Sequence, residues 1–239
     1  MSLHLDEAWS ALSTSPVLGV ALTLAAYQLA RVLWLRTGNH PGVNPVLIAI
    51  VLVGSVLWVT GIDYDTYMRG GSVIALLLGP ATVALAWPLH LEMTLVRQAV
   101  VPILVSIALG SAVAIIVAVT TTELLGGSEE LARSMAPKST TTPVAIALSS
   151  TIGGIPALTA VLTILTGILG AVIGPRVLTL MRIRDRTVRG LAVGVSSHGI
   201  GTAQMIQESR TEGAFSGLAM ALTALATSIW LPLLVPLLP

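Results

Sequence analysis

A lysine followed by four hydroxyl side chains is the stretch of this sequence best suited to bind a small anion. The stretch consists of Lys138, Ser139, Thr140, Thr141, Thr142 and Pro143. Since proline suits the first turn of a helix, we expect a helix to begin here. Its free N–H groups and the positive end of its dipole would then point at one spot, beside the hydroxyls and the ammonium. Such a site binds a carboxylate; the alternative is a capped helix start without a ligand.

A second polar group interrupts the apolar stretch 191–206. It runs from Ser196 to Thr202, and its candidate site residues are Ser197, His198, Gly199 and Thr202. Ionisable residues inside membrane spans are rare and mark functional sites, and glycine permits an unwound backbone beside them. We expect His198 either to bind a carboxylate or carry a coupled proton, or to tie two helices together. Ser197 and His198 do not make a nucleophile–base pair, because adjacent helical residues do not face each other.

A shorter segment near residue 80 resembles the hydroxyl stretch. It begins with Gly79, Pro80, Ala81 and Thr82, and the sequence from 79 to 86 is similar to that from 142 to 149. Proline removes a backbone hydrogen bond, so the helix should break here. Two interrupted helices in corresponding halves of a chain indicate the binding site of a secondary transporter. Chance similarity between two apolar helices is the alternative.

The composition indicates that membrane helices position these groups. Hydrophobic residues make up 54% of the 239 residues and charged residues only 10%, whereas soluble domains carry about a quarter charged residues. The mean hydropathy is +0.91, and the apolar runs are continuous rather than alternating. The sequence therefore predicts an all-α polytopic membrane protein with about seven to eight hydrophobic segments. Two or three of these should be broken or re-entrant, with an internal inverted repeat.

The chain is predicted to divide into a scaffold and a transport core. Residues 1–69 contain the early spans and are expected to form the scaffold through which two copies make a homodimer. Residues 70–239 are expected to form the core, with repeat halves 70–119 and 137–174 followed by 187–238. G-x-x-x-G pairs in the core permit close helix contact. They are Gly170/Gly174, Gly190/Gly194 and Gly213/Gly217.

Charge placement predicts an orientation. Five arginines lie between Arg176 and Arg189, and basic loops favour the cytoplasmic side. With 191–206 taken as a crossing, Glu208–Glu212 would lie outside, the C-terminus in the cytoplasm and the N-terminus outside. The segment Ser139–Ser150 is too short to cross and should enter and leave on one side.

Several classes of function are not expected. The chain has no cysteine, which excludes disulfides and cysteine-ligated metal clusters. It contains neither the phosphate-loop pattern G-x-x-x-x-G-K-[ST] nor the zinc pattern H-E-x-x-H. We therefore expect no enzyme activity, no metal, no cofactor other than a coupled H⁺, and no nucleic-acid partner.

Six motifs occur in a fixed order along the chain. They are LLLGPATVALAWPL (76–89), PKSTTTPVAIA (137–147), IGGIPALTAV (152–161), RGLAVG (189–194), HGIGTA (198–203) and GAFSGLAM (213–220). In these motifs the chain resembles the LrgB/CidB family of bacterial membrane proteins, and also the C-terminal part of the plastid glycolate/glycerate translocator. The resemblance covers most of the chain from about Val43 onward.

The resemblance implies two functions from different classes. One is a secondary transporter of small monocarboxylates of the glycolate, glycerate, lactate or pyruvate class. It would bind the anion at broken-helix N-termini and work by alternating access. The alternative is a holin- or antiholin-like pore or regulator of murein hydrolases. The resemblance also implies the bacterial inner membrane and a small LrgA-type membrane partner. One departure is that the family commonly has an acidic residue near the position of Ala147 and often another near Ser150.

Overall fold

The computed structural model describes residues 15–38 and 43–235. These ranges are helical, without strands, and five stretches have the length and apolar composition of membrane spans. The five are Pro16–Arg36, Tyr64–Leu91, Val100–Leu124, Pro156–Leu180 and Arg210–Leu234. The prediction of an all-α polytopic membrane protein is confirmed.

The chain forms two compact units, Met1–Ala84 and Leu85–Pro239. The predicted scaffold boundary at 69/70 therefore falls inside the first unit, and the division of labour between scaffold and core remains a prediction. The helices of the first unit are α1 (Pro16–Arg36), α2 (Pro45–Thr60), α3 (Tyr64–Leu76) and α4 (Leu78–Ala84).

Close contact between α1 and α3 organises the first unit. A Cβ on Gly19 would collide with the carbonyl oxygen of Tyr67, and one on Gly70 with that of Pro16. Glycine at both positions lets the two backbones touch, as small residues do between membrane helices. The hydroxyls of Thr23 and Tyr67 lie 2.8 Å apart and hydrogen-bond across the same contact.

The helix break near residue 80 lies slightly earlier than predicted. Helix α3 ends at Leu76, and α4 begins at Leu78 with Gly79 and Pro80 in its first turn. Proline has no N–H to donate, and the first turn of a helix leaves such donors unused anyway. The interruption therefore falls at Leu77, just before the proline.

The second unit contains the remaining helices. They are α5 (Ala86–Leu91), α6 (Met93–Gln98), α7 (Val100–Leu124), α8 (Glu129–Met135), α9 (Thr142–Thr151), α10 (Pro156–Leu180), α11 (Arg186–Glu208) and α12 (Arg210–Leu234). Helices α7 and α12 run parallel, because their starts share one buried cluster and their ends another. Ile103 and Ile107 pack with Phe215, whereas Ile115 packs with Leu231.

Helix α9 is the short helix predicted to begin at the hydroxyl stretch. Its 10 residues rise about 15 Å, half of a bilayer core. The turn after it returns the chain along α9 into α10. Gly153 has φ +78°, and a Cβ on Gly154 would lie 2.5 Å from Ser149 Oγ. Both glycines are therefore required by the turn, the first for its conformation and the second for space.

Buried hydroxyls hold α8, α9 and the start of α10 together. The Thr159 hydroxyl lies 2.7 Å from Ser149 Oγ and 3.0 Å from the Ser134 carbonyl oxygen. The backbone N–H of Ile155 donates to Ser134 Oγ at 2.8 Å. Ser134, Ser149 and Thr159 are fully buried, so these bonds satisfy polar groups that would otherwise be costly in an apolar surrounding.

Helix α11 is a hairpin rather than a crossing. Its backbone is helical on both sides of His198, which has φ 41° and ψ −136°. A Cβ on Gly201 would lie 2.8 Å from Val193 Cγ1, although eight residues of straight helix rise about 12 Å. Met205 likewise packs with Val193 and Leu178. The chain therefore enters along 186–197, reverses at His198 and returns along 199–208.

This hairpin corrects the predicted orientation. Glu208–Glu212 was placed on the opposite side from the arginine-rich loop, but Arg189 Nε lies 3.4 Å from Glu212 Oε1. A straight helix of 23 residues would separate its two ends by about 34 Å. Both ends of α11 therefore lie at the C-terminal end of α10. The prediction of a crossing at 191–206 is wrong.

The loop between α10 and the hairpin is shorter than the predicted span from Arg176 to Arg189. It comprises only residues 181–185, with the flanking arginines in helices. Asp185 caps α11 by accepting hydrogen bonds from the N–H groups of Thr187 and Val188. The hydrogen bond from the Thr187 hydroxyl, together with that from the N–H of Val188, holds the pKa of Asp185 below its ordinary value. The cap therefore stays ionised near neutral pH.

Small residues pack the hairpin between its neighbours, as the G-x-x-x-G pairs predicted. A Cβ on Gly190 would collide with the carbonyl oxygen of Glu212, and one on Gly194 with that of Ser216. On the other side, a Cβ on Gly170 would collide with the Ser197 hydroxyl. The close approach of α11 to both α10 and α12 depends on these glycines.

The hairpin makes a prediction about sidedness that single cysteines can test. Arg184→Cys and Glu208→Cys should react with a membrane-impermeant maleimide from the same side of the membrane. Leu125→Cys, at the end of α7, should react from the opposite side. The measurement is labelling of right-side-out and inverted vesicles, and the natural chain supplies a cysteine-free background. Labelling of Glu208→Cys from the side of Leu125→Cys would contradict the hairpin.

Candidate functional site

A cavity of about 820 Å³, open to the protein surface, lies between α7, the α8–α9 linker, α10 and the first arm of the hairpin. Its walls are mostly aliphatic, with polar groups at a few points. Those polar residues are Thr121, Thr122, Lys138, Ser139, Thr166 and Ser196. A mostly apolar cavity with a few convergent polar groups is the usual form of a small-molecule site.

Lys138 supplies the charge of this cavity. It is the single lysine of the chain and lies three residues after the end of α8. The described residues that line the cavity include no Asp or Glu, and no ion pair of Lys138 is found within the described ranges. A half-buried ammonium without an acidic neighbour favours an anionic occupant.

The hydroxyl stretch after Lys138 is partly committed to the fold. Ser139 is buried and lines the cavity. Thr140 is also buried, and its hydroxyl donates to the Pro137 carbonyl oxygen at 2.9 Å. Thr141 is the N-cap of α9, but its side chain makes no capping hydrogen bond. Thr142 is the first residue of α9 and is half-buried. The free N–H groups at the start of α9 therefore have no side-chain cap.

A proline lies in the first turn of α9, as the sequence predicted, but its side chain is on the exposed face of the helix. Pro143 occupies the first turn and is exposed, as are Ala147 and Ser150. These three residues follow at helical spacing along one face of α9. The two positions where the family commonly has acidic residues therefore face away from the core of the second unit.

His198 lies at the tip of the hairpin and is 3% exposed. Its Nε2–H donates to the Thr163 carbonyl oxygen of α10 over 2.9 Å. A Cβ on Gly167 would lie 2.6 Å from His198 Cε1, so this glycine makes room for the ring. His198 is not among the residues that line the cavity. Here the ring ties two helices together, which is the second of its two predicted roles.

The other residues predicted around His198 are also tied to their neighbours. Ser197 is fully buried against Gly170. The Thr202 hydroxyl donates to the His198 carbonyl oxygen at 2.8 Å and lies 2.9 Å from the Ser216 hydroxyl. Gly199 has regular helical backbone, whereas His198 itself carries the positive φ. The unwinding predicted at the glycines therefore falls on the histidine.

The structure brings together only part of the predicted site. Lys138 and Ser139 share the cavity with Ser196, which immediately precedes the hairpin tip residues. Gly79, Pro80, Ala81 and Thr82 belong to the first compact unit. Their participation in the same site remains a prediction.

The residues predicted to bind the anion did not include Thr166, the threonines at the end of α7, or Ser196, although Ser196 belongs to the polar stretch around His198. Thr166 stands alone in an apolar run, whereas Ser196 adjoins Ser197, and Thr121 and Thr122 belong to a run of three threonines. Hydroxyls at such helical positions usually bond to their own helix. Ser196 Oγ does lie 2.9 Å from the Ala192 carbonyl oxygen. Only the approach of α7, α10 and α11 reveals that these hydroxyls face one cavity.

Comparison with known proteins gives a consistent family. A sequence model of the LrgB-like family matches residues 23–237. The chain is 36% identical to the uncharacterized protein YxaC of Bacillus subtilis, covering 90% of this chain and 94% of the relative. It is 32% identical to the holin-like protein CidB of Staphylococcus epidermidis and 33% identical to that of Staphylococcus aureus. Both CidB matches cover 92% of this chain and 95% of the relative.

No solved structure matches this chain.

The backbone at His198 makes a stability prediction. The combination of φ and ψ at His198 is one that glycine adopts readily. For other residues it costs about 1–3 kcal/mol of conformational free energy. His198→Ala removes the ring and keeps the strain, whereas His198→Gly removes both. We expect the glycine variant to be more stable than the alanine variant by about 1 kcal/mol.

Thermal unfolding of the full-length protein in detergent measures this difference. Gly199→Ala is the control, since a Cβ there meets only Met220 Sδ at 3.8 Å and alanine suits a helix. It should leave the melting temperature unchanged or raise it. Equal stability of His198→Ala and His198→Gly would contradict a strained tip.

Proposed function

We propose that this chain, which belongs to the LrgB-like family, is a secondary transporter of small monocarboxylate anions. The solute class is that of glycolate, glycerate, lactate and pyruvate. The observation that carries the proposal is the cavity of about 820 Å³, which holds one lysine and no acidic lining residue among those described. A C2–C4 acid occupies much less than this volume, so the anion would bind with water at the Lys138 end.

The residues around Lys138 provide recognition of a hydroxy or keto acid. The Lys138 ammonium would pair with the carboxylate, and the Ser139 hydroxyl would hydrogen-bond the oxygen at the alpha carbon. Free N–H groups at the start of α9 add a partial positive charge. Charge-assisted hydrogen bonds of this kind are roughly twice as strong as neutral ones.

Two short helical elements that enter from opposite ends of α10 support alternating access. Helix α9 joins the N-terminal end of α10, and the base of the α11 hairpin lies at its C-terminal end. Opposed broken elements that meet near mid-span are typical of secondary transporters. Movement of either element relative to α7 and α10 would open the cavity toward one side at a time.

The orientation proposed from these elements differs from the sequence prediction at one end. With the arginine-rich base of the hairpin in the cytoplasm of a bacterium, α12 runs outward and the C-terminus lies outside. The N-terminus stays outside, and α9 enters from the outer side. As expected from the sequence, we also propose that transport is coupled to H⁺, that the protein forms a homodimer, and that it works with a small LrgA-type membrane protein.

A holin- or antiholin-like function is the second candidate. The names of the CidB relatives favour it. In that role the protein would form or regulate a pore and would affect murein hydrolases, with no need to recognise a solute. The two functions differ in whether flux saturates and in whether it depends on the Lys138 charge.

Uptake into proteoliposomes separates the two. Radiolabelled glycolate should accumulate with saturable kinetics, and Lys138→Gln should lower uptake at subsaturating glycolate at least about tenfold, the loss of one charged hydrogen bond. Lys138→Arg keeps the charge and serves as the matched control, with uptake well above that of the glutamine variant.

The companion measurement is leakage of a neutral dye from the same vesicles. The transporter proposal would be refuted if no C2–C4 hydroxy or keto acid entered these vesicles faster than it enters empty liposomes, with or without a pH gradient. Dye leakage that is insensitive to Lys138→Gln would instead support the pore.

A further inference from the structure

A second cavity, of about 300 Å³, lies at the base of the hairpin where α10, α11 and α12 meet. Its lining consists of Thr179, Arg182, Ile183, Arg184, Arg186, Arg189 and Glu212. Four guanidinium groups thus surround one carboxylate, which leaves a formal excess of three positive charges. This pocket is separate from the Lys138 cavity and has no part in the proposed transport site.

Arg189 forms the rigid wall of this base pocket. Its guanidinium donates to the carbonyl oxygens of Ile183 at 3.2 Å and Pro175 at 3.4 Å. Its Nε lies 3.4 Å from Glu212 Oε1. Arg189 therefore joins the end of α10 to the start of α12 and is occupied by structural bonds.

The other three arginines are exposed around the rim. Within the described residues, no ion pair is found for Arg182, Arg184 or Arg186. Arg182 has φ 62° and follows the C-cap of α10 at the position where glycine is usual. Its N–H donates to the Thr179 carbonyl oxygen. An arginine at a position that prefers glycine places a charged side chain over the pocket at some conformational cost.

Glu212 lines the base pocket and has one carboxylate oxygen without a partner among the described residues. The residue is only 6% exposed, and its Oε1 pairs with Arg189. Its Oε2 is buried and has no hydrogen-bond partner among the described residues. An unpaired buried acceptor is costly, so a ligand that brings a donor to Oε2 would gain binding energy.

We propose that this base pocket binds the headgroup of an anionic phospholipid that carries free hydroxyls. The phosphate diester would bind the rim arginines, whose planar guanidinium matches phosphate oxygens. A headgroup hydroxyl would donate to Glu212 Oε2. The ligand chemistry is a phosphate joined to a polyol, which a glycerol-type phospholipid and a free glycerol phosphate share.

The surroundings of the base pocket favour the lipid. Leu180 and Met181 lie beside it at the end of α10 and are 84% and 64% exposed. These apolar side chains continue the membrane-facing surface of a span, so acyl chains could lie against them while the headgroup occupies the pocket. Basic pockets at the cytoplasmic ends of membrane helices suit anionic headgroups.

Binding of a headgroup in the base pocket would stabilise the position of the hairpin. Arg182 and Arg184 come from the loop after α10, Arg186 from the start of α11, and Glu212 from α12. One headgroup would therefore bridge the three helices at the point where the hairpin leaves the membrane.

Lipid-dependent thermal stability of the full-length protein in detergent tests the proposal. Phosphatidylglycerol should raise the melting temperature saturably, whereas phosphatidylcholine should not. The triple variant Arg182→Gln/Arg184→Gln/Arg186→Gln should weaken the apparent affinity for phosphatidylglycerol at least about tenfold. Arg176→Gln, an exposed arginine of α10 outside the pocket, is the matched control and should leave the affinity unchanged.

Two further arms identify the ligand group. Phosphatidic acid, which lacks the glycerol hydroxyls, should bind the natural protein more weakly than phosphatidylglycerol, and Glu212→Gln should reduce this preference. Free glycerol 3-phosphate should give no comparable shift. Equal shifts with phosphatidylcholine, an equal loss in Arg176→Gln, or a shift with glycerol 3-phosphate equal to that with the lipid would each overturn the proposal.

Discussion

The close contact between α10 and the tip of the hairpin is the constraint on which the second unit depends. Gly167 and Gly170 remove the side chains that would occupy the space of His198 and Ser197. The His198 ring can then donate to the Thr163 carbonyl oxygen. A chain reversal inside a bilayer is tolerated only where protein surrounds it, because lipid offers no hydrogen bonds to its backbone. These glycines therefore make the hairpin compatible with a membrane.

The hairpin in turn determines which groups meet at the cavity. Its first arm brings Ser196 to the wall formed by α7 and α10, across from Lys138 and Ser139. Its base is held by Arg189 and Glu212 at the other end of α10. The tip is fixed by packing and the base by charge, so the two ends of the hairpin respond to different changes in their surroundings. This separation suits an element whose movement opens a cavity.

Much of the fold could be predicted from the sequence, because hydropathy reports burial in lipid directly. The spans, the short helix after Lys138 and the turn at Gly153–Gly154 follow from apolar length, proline and paired glycines. The hairpin could not be predicted, since its 23 residues match the length of a crossing. The reversal also falls on a histidine, although a positive φ is uncommon for any residue other than glycine. Among the site residues, Lys138 was found by its charge, whereas Ser196 and Thr166 resemble ordinary helix hydroxyls.

Protection of Lys138 from chemical modification tests the central claim most directly. The chain has one lysine, so an amine-acylating reagent read by peptide mass spectrometry reports on the cavity at a single internal site. The account predicts that glycolate slows acylation of Lys138 in reconstituted protein, with a saturable dependence on concentration, while acetamide, a neutral molecule of similar size, does not. Acylation at the same rate with and without every C2–C4 hydroxy and keto acid would contradict an anion site at Lys138.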